Sequence, residues 1–134
     1  MKLVVHVDGG ARGNPGPAAA AAVLRDATGS VVDEATELLG EVSNNVAEYR
    51  GLLLGLRRAR ALGATEVEVV NDSELVARQV NGIYKVKHPG MRPLHAAALR
   101  ALGEFERWSL RSVPRAENAG ADALVNQALD AARH

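Results

Sequence analysis

Four carboxylates stand where a merely solvated acid is unexpected. Asp8 closes an apolar run from Leu3, Asp72 closes the run Glu66 to Asn71 as it turns apolar, and Glu48 and Asp122 each fall in the first turn of an amphipathic segment. Carboxylates brought together raise one another's pKa, so a cluster of them makes sense around cations or as an acid/base pair. A donor set made only of oxygen selects hard ions such as Mg²⁺ or Mn²⁺. Two such ions about 4 Å apart can activate a water, neutralise a phosphate and stabilise a departing oxygen, which is metal-assisted phosphodiester hydrolysis. Each acid also has a plainer reading. An acid in a helix's first turn complements the macrodipole, for roughly 0.3–1 kcal/mol. Asp72 can cap the helix after it, and Asp8 before Gly9-Gly10 can form a turn. Spacing alone does not bring the four together.

The elements that would have to do so are legible in the hydropathy pattern. Leu3 to Asp8 reads as a strand apolar on both faces, hence central in its sheet. The turn-rich Gly9-Gly10-Ala11-Arg12-Gly13-Asn14-Pro15-Gly16-Pro17 follows, then strands Ala18 to Arg25 and Ser30 to Leu39, completing an antiparallel meander. Ser43-Asn44-Asn45 offers helix caps, and Tyr49, Leu52, Leu53, Leu56, Ala59 and Leu62 recur at helical spacing up to Gly63. Glu66 to Asn71 is a fourth strand, parallel to an earlier one because a helix connects them. If its neighbour is the first strand, Asp8 and Asp72 emerge at one end of the sheet, where ligands favour open α/β sheets. A short helix from Ser73 to about Asn81, a polar loop Gly82 to Arg92, and a helix Pro93 to Arg107 come next. Trp108, Leu110 and Val113 mark a last strand, Pro114 to Gly120 a loop, and Ala121 to Ala132 a terminal helix with Leu124, Val125, Ala128 and Leu129 inward. The expectation is one mixed α/β domain over residues 1–134.

Composition narrows the chemistry further. The chain has no cysteine, which excludes disulfides, thiolate nucleophiles and Cys-based zinc sites and agrees with a reducing compartment. Lys plus Arg and Asp plus Glu both number 16, so no global positive field announces a nucleic acid, and local distribution has to decide. The apolar N-terminal run is too short for a signal-peptide core or a membrane span, and a cytoplasmic protein that binds no membrane is expected.

Taken in order, Asp8-Gly9-Gly10-Ala11-Arg12-Gly13-Asn14-Pro15-Gly16-Pro17, Ser43-Asn44-Asn45-Val46-Ala47-Glu48, Asp72-Ser73 and Asn118-Ala119-Gly120-Ala121-Asp122 resemble the signature blocks of type 1 ribonuclease H. The resemblance covers essentially the whole chain. It implies the ribonuclease H-like fold, a five-stranded mixed sheet in order 3-2-1-4-5 flanked by helices. It also implies endonucleolytic cleavage of the RNA strand of RNA–DNA hybrids, leaving 5′-phosphate and 3′-hydroxyl ends. Asp8, Glu48, Asp72 and Asp122 then become catalytic ligands of two Mg²⁺ ions, with Mn²⁺ a possible substitute. The family residue matching Glu48 also lies close to the ribose 2′-hydroxyl, the group by which a protein tells RNA from DNA. Gly9, Gly10, Asn14, Ser43, Asn44, Asn45 and Ser73 match substrate-binding positions. Small amides and hydroxyls can grip backbone and 2′-OH with little dependence on base sequence. Asn44 could equally cap its helix, and Asn14 could be a turn residue.

Two departures stand out. Well-studied members carry a His in the loop before the last carboxylate, whereas Pro114-Arg115-Ala116-Glu117-Asn118 has none, leaving Arg115, Glu117 and Asn118 as accessory candidates. His6 reads as a packed strand residue; His88, His95 and His134 read as solvated. The Lys/Arg-rich protrusion of some members is also missing. In its place stands Tyr84-Lys85-Val86-Lys87-His88-Pro89-Gly90-Met91-Arg92, where Lys85 and Lys87 could grip hybrid or simply be solvated. That run resembles the short form of the family, including domains fused to a C-terminal phosphatase in some bacteria. A monomer is expected. Competing readings are a non-catalytic hybrid-binding module and a nuclease of the same fold acting on duplex RNA or DNA junctions.

Overall fold

The computed structural model describes residues 1–132, so His134 lies outside the described residues. Five strands form one sheet: β1 (Lys2–Ala11), β2 (Gly16–Arg25), β3 (Val31–Val42), β4 (Glu66–Asn71) and β5 (Arg107–Ser112), in the order β3-β2-β1-β4-β5. The meander β1-β2-β3 is antiparallel, while β4 runs parallel to β1 and β5 parallel to β4. This is the mixed sheet expected, with β1 at its centre.

Four helices follow from the apolar periodicity: α1 (Asn44–Ala61), α2 (Glu74–Val80), α3 (Arg92–Leu102) and α4 (Ala119–Ala131). One face of the sheet presents Leu3, Val5, Val7, Ala20 and Ala22 to a core shared with Tyr49, Leu52 and Leu56 of α1 and Leu102 of α3. The other face presents Ala19 and Ala21 to Val125 and Leu129 of α4. The run of alanines in β2 is explained by this double burial, since a small side chain admits a helix on each side of the strand. Leu124 and Ala128 pack at the margin of that second cluster rather than within it.

Three boundaries differ most from the expected ones, each for a physical reason. β1 continues through the glycines to Ala11, pairing Gly9, Gly10 and Ala11 with Ala20, Ala19 and Ala18; a segment that reads as a turn is a strand. The helix expected to reach Arg107 ends at Leu102, where Gly103 caps it; Phe105 then enters the core from a turn, and Glu106 N–H donates to the Thr65 carbonyl at 2.8 Å as β5 begins. β3 runs on to Val42, past a bulge opposite Ala18 and Ala19 and a left-handed Gly40. Within the expected loop before α4, Arg115–Asn118 form a 3-10 turn. Among the described residues no helix is long and apolar enough to cross a membrane.

Candidate active site

The β1–β4 register sets the site. It pairs Lys2 with Glu66 and His6 with Val70, an offset that, carried two residues further, puts Asp8 level with Asp72. Asp8 therefore lies within β1, beyond the end of the β4 ladder, rather than at the end of its strand. Asp72 follows the last residue of β4.

Helix α1 supplies the third acid by lying unusually close to β1. A Cβ on Gly9 would collide with the Ala47 carbonyl, and one on Gly51 with the Asp8 carbonyl; a Cβ on Gly55 would strike the Val7 and Val5 side chains. These absent side chains let backbone approach backbone, which draws Glu48 over Asp8. Helix α1 begins at Asn44 under Ser43, whose hydroxyl accepts from Val46 N–H at 3.2 Å, so Glu48 lies in the second turn and not the first. That removes the macrodipole reading for Glu48. Capping is likewise removed for Asp72, because Ser73 caps α2 by accepting from Val76 N–H at 3.2 Å. Asp122 does lie in the first turn of α4.

Carboxylate oxygens of Asp8, Glu48 and Asp72 lie within 4.8 Å of one another. Burial, then the charge of Asp72, pushes Asp8 up to about 7, and Asp122 adds to the rise. Burial, then Asp8 and Asp72, pushes Glu48 up to about 9, with Arg115 acting weakly the other way. Asp72 Oδ2 is buried without a hydrogen-bond partner; its nearest cation, Arg115 Nε, stands 3.7 Å off, and the same nitrogen is 3.9 Å from Asp122. A buried acceptor left unpaired and acids held above their ordinary pKa are the signs of a site that a cation completes. An oxygen-only donor set fits a hard divalent ion.

The carboxylates floor a cleft of about 440 Å³ whose walls are Gly9, Gly10 and Ala11 of β1, Asn44 and Asn45 of α1, Arg115, and Val125 and Asn126 of α4. Asn44 does not cap its helix: its Oδ1 accepts from Ala11 N–H at 2.8 Å, leaving the amide nitrogen for a ligand. Asn14 stands behind this rim, its Oδ1 accepting from Asn44 N–H at 3.0 Å. Ser43 and Ser73 act as caps outside the cleft lining.

Other candidates lie elsewhere. Glu117 faces a small cavity on the far side with His6 and Arg25. Asn118 is buried, with Nδ2 donating to the Val7 carbonyl at 2.8 Å. Lys85 lines a separate groove with Tyr84, Arg92 and His95, and Lys87 is exposed outside the cleft. His95 is half-buried rather than solvated, its Nε2 3.1 Å from the Gln79 carbonyl and its ring edge-on to Tyr49. His88 is exposed and His6 is packed in its strand, burial holding the His6 pKa below the ordinary value. Ala11, Val125 and Asn126 were missed; only Asn126 left a signal, its helical spacing of four from Asp122.

Residues 6–128 match the family described as reverse transcriptase-like. The chain is 50% identical over 133 residues to the bifunctional protein Rv2228c of Mycobacterium tuberculosis, covering 98% of this chain and 36% of that protein. It is 42% identical to ribonuclease HI of Halobacterium salinarum, covering 96% and 65% of the two chains. The solved ribonuclease H domain of Rv2228c superposes with a TM-score of 0.95 at 48% identity, covering 99% of this chain and 96% of that one. The chain belongs to the ribonuclease H type 1 family. A further member solved in complex with an RNA/DNA hybrid, LC11-RNase H1, superposes at 0.93 with 40% identity, covering 98% and 99% of the chains. Ribonucleases H are divalent-metal-dependent hydrolytic nucleases, and the oxygen cluster of this member fits such a metal. The chain spans about a third of the length of the Rv2228c protein it matches.

Proposed function

We propose that this chain is an endoribonuclease that hydrolyses the RNA strand of RNA–DNA hybrids with two Mg²⁺ ions, for which Mn²⁺ can substitute, leaving 5′-phosphate and 3′-hydroxyl ends. The observation that carries the reading is the convergence of Asp8, Glu48 and Asp72 within 4.8 Å, with Asp72 Oδ2 buried and unpaired. Its support for hybrid as substrate is the likeness to ribonuclease HI and to the hybrid-bound ribonuclease H1.

Asp8, Glu48, Asp72 and Asp122 would hold the ions, which when bound supply an activated water and neutralise charge on the phosphate. The chain's own residues do the rest. Gly9 lines the cleft but its missing side chain makes room for α1, whereas Gly10, whose absent side chain would face Val125 on the cleft wall, leaves the β1 backbone bare there, so a phosphodiester can approach closely. Asn44, its oxygen tied to Ala11, keeps its amide N–H groups for phosphate or 2′-OH, and exposed Asn45 offers another amide beside it. Such contacts read backbone, which gives little sequence preference. Arg115, its Nε 3.7 Å from Asp72 and 3.9 Å from Asp122, serves as a counter-charge beside the acids. Glu48 borders this cleft, within reach of the ribose whose 2′-OH marks the strand as RNA. The domain is read as working as a monomer, and in the cytoplasm, a compartment with which its cysteine-free composition agrees.

A substrate panel tests the proposal: hybrid, duplex RNA, duplex DNA and a four-way DNA junction, each with Mg²⁺ or Mn²⁺. Cutting confined to the RNA strand of the hybrid is expected. Preference for duplex RNA or the junction would move the activity to another nucleic acid, and binding of hybrid without cutting would reduce the chain to a binding module.

A further inference from the structure

Asn118 stands at the N-cap of α4, yet its side chain makes no capping bond. An asparagine there ordinarily accepts from the helix's own free N–H groups. Its amide is instead buried against β1: Nδ2 donates to the Val7 carbonyl at 2.8 Å, and Oδ1 lies 3.2 Å from His6 Nδ1. Val7 is one residue past the last rung of the β1–β4 ladder and one before Asp8. The Asn118 amide thus binds β1 at the step where β4 no longer pairs with it.

The bond to Val7 fixes the orientation of the amide, because a carbonyl only accepts. Oδ1 therefore faces His6, and His6 Nδ1 carries the hydrogen. The ring lines a cavity of about 70 Å³ together with Val23, Arg25, Glu117, Gly120 and Ala121. Two bonds to consecutive residues of β1 hold the plane of one side chain. Arg115 lies three residues before that side chain and Asp122 four residues after it.

We propose that His6 and Asn118 are a positioning pair that sets Asp122 and Arg115 against the Asp8, Glu48 and Asp72 cluster. The proposal rests on the nuclease reading above. What else holds α4 is the packing of Val125 and Leu129 on Ala19 and Ala21, an apolar contact with no directional preference, and an exposed ion pair of Arg12 with Asp130 at 2.7 Å near the far end of the helix. Small alanine surfaces permit a helix to slide, whereas a bidentate amide does not. A displacement of about 1 Å at a reacting centre can cost on the order of 100-fold in rate, so the register of α4 matters more to turnover than to folding.

The test compares His6→Leu, which has no donor, with His6→Asn, whose amide nitrogen falls near the place of Nδ1, and His6→Gln, whose amide falls near that of Nε2. Two readouts are taken: kcat and KM on a hybrid, and the Mn²⁺ concentration giving half of the ion-induced rise in Tm without substrate. His6→Leu should lower kcat about tenfold and raise the half-effective Mn²⁺ by a similar factor, as loss of an outer-shell partner does. KM should stay unchanged. His6→Asn should recover most of both effects, and His6→Gln should recover little. The pair is overturned if His6→Leu matches the wild type in both readouts, or if His6→Asn is as impaired as His6→Leu with losses that simply follow Tm. Wild-type protein that cuts no hybrid would sink the nuclease reading alone. The Mn²⁺ titration would still decide the pair, an unshifted half-effective concentration in His6→Leu overturning it and a shifted one sustaining it.

Discussion

The two walls of the cleft are held by different physics. Asp8, Glu48 and Asp72 stand on β1, α1 and β4, where backbone packs on backbone through Gly9 and Gly51 above a broad apolar core. Arg115 and Asp122 stand on the 3-10 turn and α4, which rest on a small apolar cluster, one buried amide and the exposed Arg12–Asp130 ion pair. The first wall cannot give without unfolding α1 from the sheet. The second is held by few buried contacts, and segments so held open at lower free energy than the core. The lesson is that the acids most raised by burial, Asp8 and Glu48, sit on the rigid wall, while Arg115, the cation that acts against the rise of Glu48, sits on the adjustable one.

Glycine substitutions test this contrast with the largest expected effect. Gly9→Ala forces a methyl into the Ala47 carbonyl and should cost about 3 kcal/mol or more, at the upper end of overpacking changes. Gly120→Ala in α4 meets only Val23 Cγ2 at 3.8 Å and should stabilise by about 0.5–1 kcal/mol through helix propensity. Denaturant midpoints check both; equal effects would erase the distinction between the walls.

A smaller effect is expected from pH. Because Glu48 is raised from 4.5 to about 9 and Asp8 to about 7, the folded state keeps protons the unfolded chain has lost. Stability in chelator therefore falls as pH rises across this range. His6, lowered by burial, has the opposite sign below its ordinary 6.5, so the clean window is about pH 7 to 9. Thermal melts there should show a declining Tm that Glu48→Gln flattens and a divalent ion reverses. A Tm that stays level in chelator would mean the rigid wall does not confine its charge.

The smallest effect belongs to the second wall's cation. The Arg115 side chain is 79% exposed and its pairs are 3.7 and 3.9 Å long. Exposed pairs contribute roughly 0.2–1 kcal/mol, so Arg115→Ala should lower kcat at most about fivefold. The loss should shrink with added salt. A loss far beyond that, insensitive to salt, would give Arg115 a direct part in the chemistry.

Much of this was legible in the chain. Alternation in β1 and β4 and helical spacing in α1 carried the elements, the resemblance to ribonuclease H carried the sheet order, and the carboxylates were visible because each borders an apolar element. Other features depend on contacts that local pattern does not encode. Gly9 and Gly10 read as a turn because glycine favours turns, yet both are strand residues here, and the missing side chain of Gly9 admits α1. Phe105 fits the period of α3 but enters the core after Gly103 has ended the helix. Asn118 looks like a polar loop residue free to touch substrate, whereas its partner is 111 residues away in β1. Lys85 and Lys87 are basic in composition, but the loop carries them to another groove and to open solvent.

The most direct test of the central claim is cleavage of a hybrid labelled on its RNA strand, wild type against Asp8→Asn, as Mg²⁺ is titrated. Ion-dependent cuts with 5′-phosphate and 3′-hydroxyl ends are predicted for the wild type. Asp8→Asn should remain folded by circular dichroism and lose more than the roughly 100-fold that outer-shell partners cost. An intact hybrid with wild-type protein in both Mg²⁺ and Mn²⁺, or undiminished cutting by Asp8→Asn, would contradict the account.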